Sequence, residues 1–124
     1  MAFGIIDKDS KKPTRYFSKK QESKIAEAVD GQRAPNSGAT AWVKGDVLTK
    51  QFLLEAKTKT SNSESISIKR DWFLKNKEEA AFMGKEHQAV VFNFGPDYPY
   101  NENHYIIDEY LFLELLEYLK GKEE

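Results

Sequence analysis

The chain has 124 residues, which is enough for one domain with a single core and too few for two ordinary domains. Its composition, 40% hydrophobic and 31% charged, is that of a globular protein, and the absence of cysteine excludes disulfides, thiolate metal sites and cysteine nucleophiles. The sequence has neither an apolar run of the roughly 20 residues that cross a bilayer nor a signal-peptide pattern at its start, so we expect a soluble cytoplasmic protein with no membrane partner.

Charge is distributed unevenly, although the net charge is only −1. Residues 97–124 hold eight acids and two lysines, which leaves 17 bases and 12 acids for the other 96 residues. The bases cluster from Lys8 to Lys24 and from Lys69 to Lys77, and such clusters can neutralise phosphates and release counterions. The alternative is that these bases are ordinary solvated surface charges.

The first predicted elements are a basic, mobile arm over residues 1–13 and a short helix. Ser18 to Gln21 has the pattern of a capping box, which predicts that the helix starts there, runs to about Val29 and ends at Gly31.

Glu22 is predicted to lie on the apolar face of this helix. Apolar residues follow it after three, four and seven positions, so its carboxylate should point toward the core. The alternative for Glu22 is a salt bridge at the helix edge to Lys19 or Lys24.

A β-hairpin is predicted after a loop. Residues 32–40 concentrate turn formers, and the strand-like stretches Ala41–Leu48 and Gln51–Thr58 are too close in sequence for any other connection. Leu53 and Leu54 make the second strand apolar on both faces, which is typical of a strand in the centre of a sheet.

The second half of the chain alternates helices and strands. Ile66 and Ile68 indicate a brief strand or an extended entry to the next helix. The remaining predicted elements are a helix over 69–83 ended by Gly84, a buried strand over 88–94, a loop over 97–103, a short strand over 105–107 and an amphipathic helix over 108–119. This order predicts an α/β or α+β fold, with a mixed central sheet flanked by helices in a single domain over 14–124.

Three residues of the hairpin carry the candidate chemistry. If the turn lies near Thr49 and Lys50, Asp46 falls opposite Glu55, and the two carboxylates could hold one hard cation. Magnesium would relieve their repulsion, and Lys57, on the same face as Glu55, could position water or stabilise charge on a phosphate. The alternative is a surface hairpin with ordinary cross-strand pairs.

These motifs resemble those of the PD-(D/E)xK nuclease superfamily, and in particular those of the small Holliday-junction resolvases of archaea and phages. The resemblance extends from about Phe17 to Leu119 and is carried by Glu22 on a helix, Ser37-Gly38-Ala39, Gly45-Asp46 and Leu54-Glu55-Ala56-Lys57. Gly45 stands where the superfamily usually has proline. The resemblance implies a restriction-endonuclease-like sheet, the active-site residues Glu22, Asp46, Glu55 and Lys57, and magnesium, or manganese in its place, held by the three carboxylates.

The same resemblance implies a structure-specific endodeoxyribonuclease of DNA recombination and repair. Resolvases of this kind act as homodimers that make paired nicks in four-way junctions. The protein would act in the host cytoplasm if it is encoded by a phage. Ser37 stands where the family has a serine that contributes to the site or to a DNA backbone contact. The bases that we expect to contact DNA, from the charge distribution, are Lys11, Lys12, Arg15, Lys19, Lys20, Arg33, Lys59, Lys69 and Arg70. For Lys59 the alternative is a solvated strand end. Aromatic candidates for a dimer interface, with the core as the alternative, are Phe92, Phe94, Tyr98, Tyr100 and Tyr105.

Two other classes of function remain open at this stage. One is a nicking, flap-cutting or restriction-type nuclease with the same chemistry. The other is a non-catalytic protein, either a DNA-binding module of the same fold or an interaction protein that uses its acidic carboxy-terminal helix. The sequence contains no P-loop, so we expect no nucleotide cofactor.

Overall fold

The computed structural model describes residues 14–34 and 46–123. Within these ranges the chain forms three helices and a five-stranded sheet. In chain order the elements are α1 (Thr14–Val29), β1 (Gln32–Arg33), β2 (Asp46–Leu48), β3 (Phe52–Lys57), α2 (Arg70–Phe82), β4 (His87–Phe92), β5 (His104–Ile106) and α3 (Glu109–Glu123).

The strands lie side by side in the order in which they occur in the sequence. β3 and β4 are parallel, because helix α2 carries the chain back across the sheet between them, and the other neighbouring strands are antiparallel. The predicted mixed sheet flanked by helices is therefore confirmed. The central position predicted for the second hairpin strand, β3, is confirmed as well.

Alternation of side chains along the strands gives the sheet two different faces. One face packs against Ile25 of α1 and forms a hydrophobic core with Val47, Leu54, Ala89 and Val91. The opposite face lies toward α2 and carries Asp46, Leu53, Glu55 and Lys57. Each buried aliphatic side chain of this kind contributes about 1.5–3 kcal/mol to folding, so the core fixes the strand register that places the polar residues.

Helix α1 begins at Thr14, four residues before the predicted start, so the predicted capping box is wrong. The Ser18 hydroxyl donates a hydrogen bond to the carbonyl of Arg15, 3.1 Å away, as a residue inside a helix does. The side chain of Gln21 turns instead toward β3. Tertiary contacts of this helix override the local start pattern.

Other element boundaries also differ from the predictions. Gln32 and Arg33, predicted as loop, pair with Leu48 and Val47 of β2, because the edge of that strand offers free backbone hydrogen-bonding groups. Of the two alternatives for Ile66 and Ile68, the strand is wrong: the segment leads without regular secondary structure into α2, whose cap residue Lys69 is extended. Gly84 ends α2 as predicted, with a φ of 72° that suits glycine. The predicted arm over 1–13 and the strand start over 41–45 lie outside the described residues.

Helix α3 continues to Glu123, four residues beyond its predicted end, and leaves most of its apolar side chains uncovered. Leu111 is buried, but Phe112, Leu115 and Leu119 are 52%, 47% and 56% exposed. Asp108, just before the helix, connects its start to β4 and α2, because it accepts a hydrogen bond from Gln88 and forms an ion pair with Lys77. Among the described residues, no helix is long and apolar enough to cross a membrane.

Candidate active site

The register of the β2–β3 hairpin determines the geometry of the site. Thr49 closes the turn, because its backbone N–H donates to the carbonyl of Phe52 and its hydroxyl accepts from the Phe52 N–H, at 3.0 and 2.9 Å. Counting back from this turn, Asp46 is the direct cross-strand partner of Glu55. The predicted juxtaposition of the two carboxylates is therefore confirmed.

Both carboxylates have an oxygen that lacks a partner. Asp46 is only 2% exposed, and its Oδ2 is buried without a hydrogen bond, as is Oε2 of Glu55, among the described residues. Leaving a buried polar atom unsatisfied costs about 1–3 kcal/mol, and more for a charged group. Two such atoms on neighbouring strands are therefore unfavourable for folding unless a ligand satisfies them.

The electrostatics of Asp46 reflect the same conflict. Burial raises the pKa of this carboxyl from 3.8 to about 8, and the negative charges of Glu55, Glu79 and Glu22 add to the shift, while Lys57 opposes it. Without a ligand, Asp46 therefore tends to stay protonated at neutral pH. A divalent cation would reverse this preference, because it favours the charged carboxylate.

Lys57 is held in place from several directions. Its Nζ lies 3.5 Å from Oε1 of Glu55 and 4.5 Å from the centre of the Trp72 ring on α2. Its backbone carbonyl accepts a hydrogen bond from Nε2 of Gln21, and Oε1 of Gln21 accepts one from the hydroxyl of Thr58. These contacts fix the end of β3, so the ammonium group remains beside the Glu55 carboxylate.

Glu22 faces inward, as predicted, and is 7% exposed. Its partner differs from the predicted alternatives, because Arg33 lies 3.4 Å away with its Nε toward Oε1, and neither Lys19 nor Lys24 forms an ion pair with it. Burial raises the pKa of Glu22, and the positive charge of Arg33 opposes this shift. Glu22 and Arg33 thus form an ion pair, and the charge of Glu22 acts on Asp46 at longer range.

Glu79 is a site residue that the sequence reasoning missed. It lies on α2 three residues after Asn76 and seven after Trp72, so the three share a face of the helix. Burial raises the pKa of Glu79, with a further contribution from Glu55. The sequence could have indicated Glu79, because this acid lies on the same helix face as Trp72 and Asn76, which the pattern predicts to point inward.

The chemistry of these groups fits a hard cation. The unpartnered atoms are carboxylate oxygens, and magnesium in proteins is commonly held by one or two carboxylates, with water and substrate phosphate completing its shell. Within 14–34 and 46–123, the side chains form no group of three or more His, Cys, Asp or Glu placed to hold a metal ion. The structure thus brings together the pair Asp46 and Glu55, with Glu22 and Glu79 at longer range.

The bases predicted to contact DNA occupy several places. Lys20 and Lys59 line one cleft, Lys19 lies near Glu22, and Arg33 is paired with Glu22. Exposed positions are held by Arg15 on α1, Lys69 at the cap of α2 and Arg70 at its first residue. Ser37, Lys11 and Lys12 lie outside the described residues.

The aromatic residues predicted for an interface divide into two groups. Phe92 and Phe94 are partly buried, and their ring centres lie 5.4 and 5.8 Å from that of His104, in a tilted and an edge-on arrangement respectively. Tyr98 and Tyr105 are exposed, and Tyr100 is intermediate.

Comparison with known proteins adds no relative: no family model, no curated protein and no solved structure matches this chain.

Proposed function

We propose that this protein is a magnesium-dependent endodeoxyribonuclease whose active site is built on Asp46, Glu55 and Lys57. The observation that carries the proposal is the pair of opposed carboxylates, each with a buried oxygen that has no partner, and a lysine held beside them. An ordinary surface hairpin has no reason to bury two unsatisfied acids next to each other. A site that binds a cation and then a phosphate has such a reason.

Each side chain has a distinct task in this proposal. Asp46 and Glu55 would hold the magnesium ion, which supplies Lewis acidity and makes water easier to deprotonate when it is bound there. Lys57 presents its ammonium group where negative charge develops on the phosphodiester and can orient the attacking water. Glu22 and Glu79 add negative potential that strengthens cation binding, and Arg33 keeps the Glu22 carboxylate in place.

A four-way DNA junction is the proposed substrate, and a homodimer the proposed assembly, because the motifs resemble those of the small resolvases. Helix α3 supports the dimer. Phe112, Leu115 and Leu119 follow the alternating spacing of three and four residues that lets helices pair, and all three are about half exposed. Along α3 the acids Glu109, Glu114 and Glu117 precede Lys120 and Lys122 in the last turn, so antiparallel pairing of two copies would bring unlike charges together.

The direct test is cleavage of a labelled four-way junction, beside linear duplex and single strand, by the parent, Asp46→Asn and Glu55→Gln. We expect paired nicks with magnesium or manganese, and a loss of at least about a hundredfold in either variant. Uniform cleavage of every substrate would retain the nuclease but reject junction selectivity, as expected for a nicking, flap-cutting or restriction-type enzyme. Activity that survives in either variant would reject the proposed metal site.

Metal binding has its own readout that needs no cleavage. The melting temperature of the parent should rise with added magnesium or calcium, because only the folded state presents the paired carboxylates, and neither variant should respond as strongly. A parent that binds junctions but neither responds to metal nor cuts would instead be a non-catalytic DNA-binding module.

A further inference from the structure

A cleft beside the candidate active site collects three lysines. Lys20 and Lys24 come from α1 and Lys59 from the chain just after β3, and the loop over 93–101 forms the third side. Among the described residues that line it, none is acidic. Within the described part of the chain, none of the three lysines forms an ion pair. The cleft therefore concentrates positive charge that the protein itself does not neutralise.

The convergence of these lysines is built into the fold. Lys20 and Lys24 are four residues apart on α1, so they project from the same side of the helix, and Gln21 lies between them on the same stripe. Gln21 joins α1 to the end of β3 through its hydrogen bonds with the Lys57 carbonyl and the Thr58 hydroxyl, at 3.1 and 2.6 Å. The three side chains carry the same charge, and a bound anion would neutralise it.

The position of the cleft indicates which anion would bind. Gln21 lines the cleft and also holds the backbone of Lys57, so the cleft and the candidate active site share the same end of β3. The nearest acid in the adjoining loop, Asp97, accepts a hydrogen bond from Asn62 on an exposed surface and is not part of the cleft wall. A polyanion carries phosphates at regular spacing, so a single strand offers a phosphate to each of the two places.

We propose that this lysine cleft binds a backbone phosphodiester of the nucleic-acid strand, at a phosphate other than the one cleaved. The inference rests on the proposed function, because that function supplies the strand. It assigns a role to Lys24, which the sequence placed only within a general basic cluster. The ligand chemistry is a phosphate group, and its two possible sources are a DNA strand and free phosphate.

The experiment compares Lys24→Glu with Lys50→Glu, two reversals of exposed lysines that change the net charge equally. Lys50 lies in the turn at the opposite end of β3 and is outside the cleft. The Kd for a labelled duplex and a junction is measured without divalent metal over a series of salt concentrations. We expect Lys24→Glu to weaken binding about tenfold and to reduce the slope of log Kd against log salt by about 1, while Lys50→Glu changes both much less.

If Lys24→Glu and Lys50→Glu change the Kd and its salt dependence equally, the cleft is not a phosphate-binding site. A titration with inorganic phosphate separates the two sources of the anion. If phosphate alone saturates the parent at micromolar concentration, and Lys24→Glu abolishes this but leaves DNA affinity unchanged, the DNA assignment is wrong. If the parent cuts DNA and Lys24→Glu binds DNA as tightly as the parent, phosphate binding by the cleft is wrong and the nuclease proposal stands. If Lys24→Glu weakens DNA binding but the parent never cuts DNA, only the nuclease proposal is wrong.

Discussion

Asp46 and Glu55 face each other across two antiparallel strands, and each has a buried carboxylate oxygen without a hydrogen-bond partner. The hairpin register brings them together and the hydrophobic core fixes that register, so the protein cannot separate the two acids without losing core packing. The pair therefore destabilises the metal-free fold, as expected where a functional site conflicts with stability.

Replacing Asp46 by asparagine should stabilise the metal-free protein at alkaline pH. The pKa of Asp46 is about 8 in the folded protein and 3.8 ordinarily, so the folded state binds this proton more tightly. In the parent, the stability that the protonated Asp46 carboxyl contributes is fully present below about pH 4 and is lost as the pH rises toward 8. At pH 8, Asp46→Asn should raise the free energy of unfolding by about 2–5 kcal/mol.

Urea denaturation in the presence of a chelator at pH 5 and pH 8 measures this effect. A shallower pH dependence remains in the variant, because burial also raises the pKa values of Glu22 and Glu79. Glu114→Gln, at an exposed position of α3, is the matched control and should leave the pH dependence unchanged. The prediction is wrong if the parent and Asp46→Asn lose the same stability between the two pH values.

Trp72 should matter through its aromatic face, which lies 4.5 Å from Nζ of Lys57. A cation–π contact of this kind is worth about 0.5–2 kcal/mol. We expect Trp72→Leu to lower kcat by about threefold to thirtyfold with little change in KM. Trp72→Phe retains a ring and should recover most of the activity.

Single-turnover cleavage at saturating DNA, together with melting temperatures, separates positioning from folding. If the leucine and phenylalanine variants lose activity equally at equal stability, the ring does not position Lys57.

Leu115→Glu should disrupt the proposed dimer, because this side chain is central to the exposed stripe of α3. Light scattering should show a change from dimer to monomer, and the two nicks on a junction should lose their pairing while nicking of single sites continues. Leu113→Glu is the control, since Leu113 is similarly exposed but lies off the stripe formed by Phe112, Leu115 and Leu119. A parent that is monomeric at high micromolar concentration would reject this interface.

The sequence predicted the site pair because local rules were sufficient there. Strand alternation puts Glu55 and Lys57 on one face. A short turn near Thr49 fixes the register of the hairpin, and in that register Asp46 lies opposite Glu55. The inward direction of Glu22 likewise followed from its spacing to apolar residues on one helix.

Contacts between elements distant in sequence were not predicted in the same way. The start of α1, the pairing of Arg33 with both β2 and Glu22, and the approach of Glu79 and Trp72 to the hairpin all depend on how helices pack on the sheet. No local pattern encodes these distances.

Apart from the edge strand β1, the sequence alone determined the order of helices and strands, the hairpin register and the identity of the two opposed carboxylates, because propensity and periodicity act over a few residues. Only the tertiary structure decided how far the pKa of Asp46 is raised, which basic residue forms the ion pair with Glu22, and where the three lysines of the cleft come together. The physical reason is that burial and charge–charge interactions depend on distances through space, which packing sets after the local elements have formed.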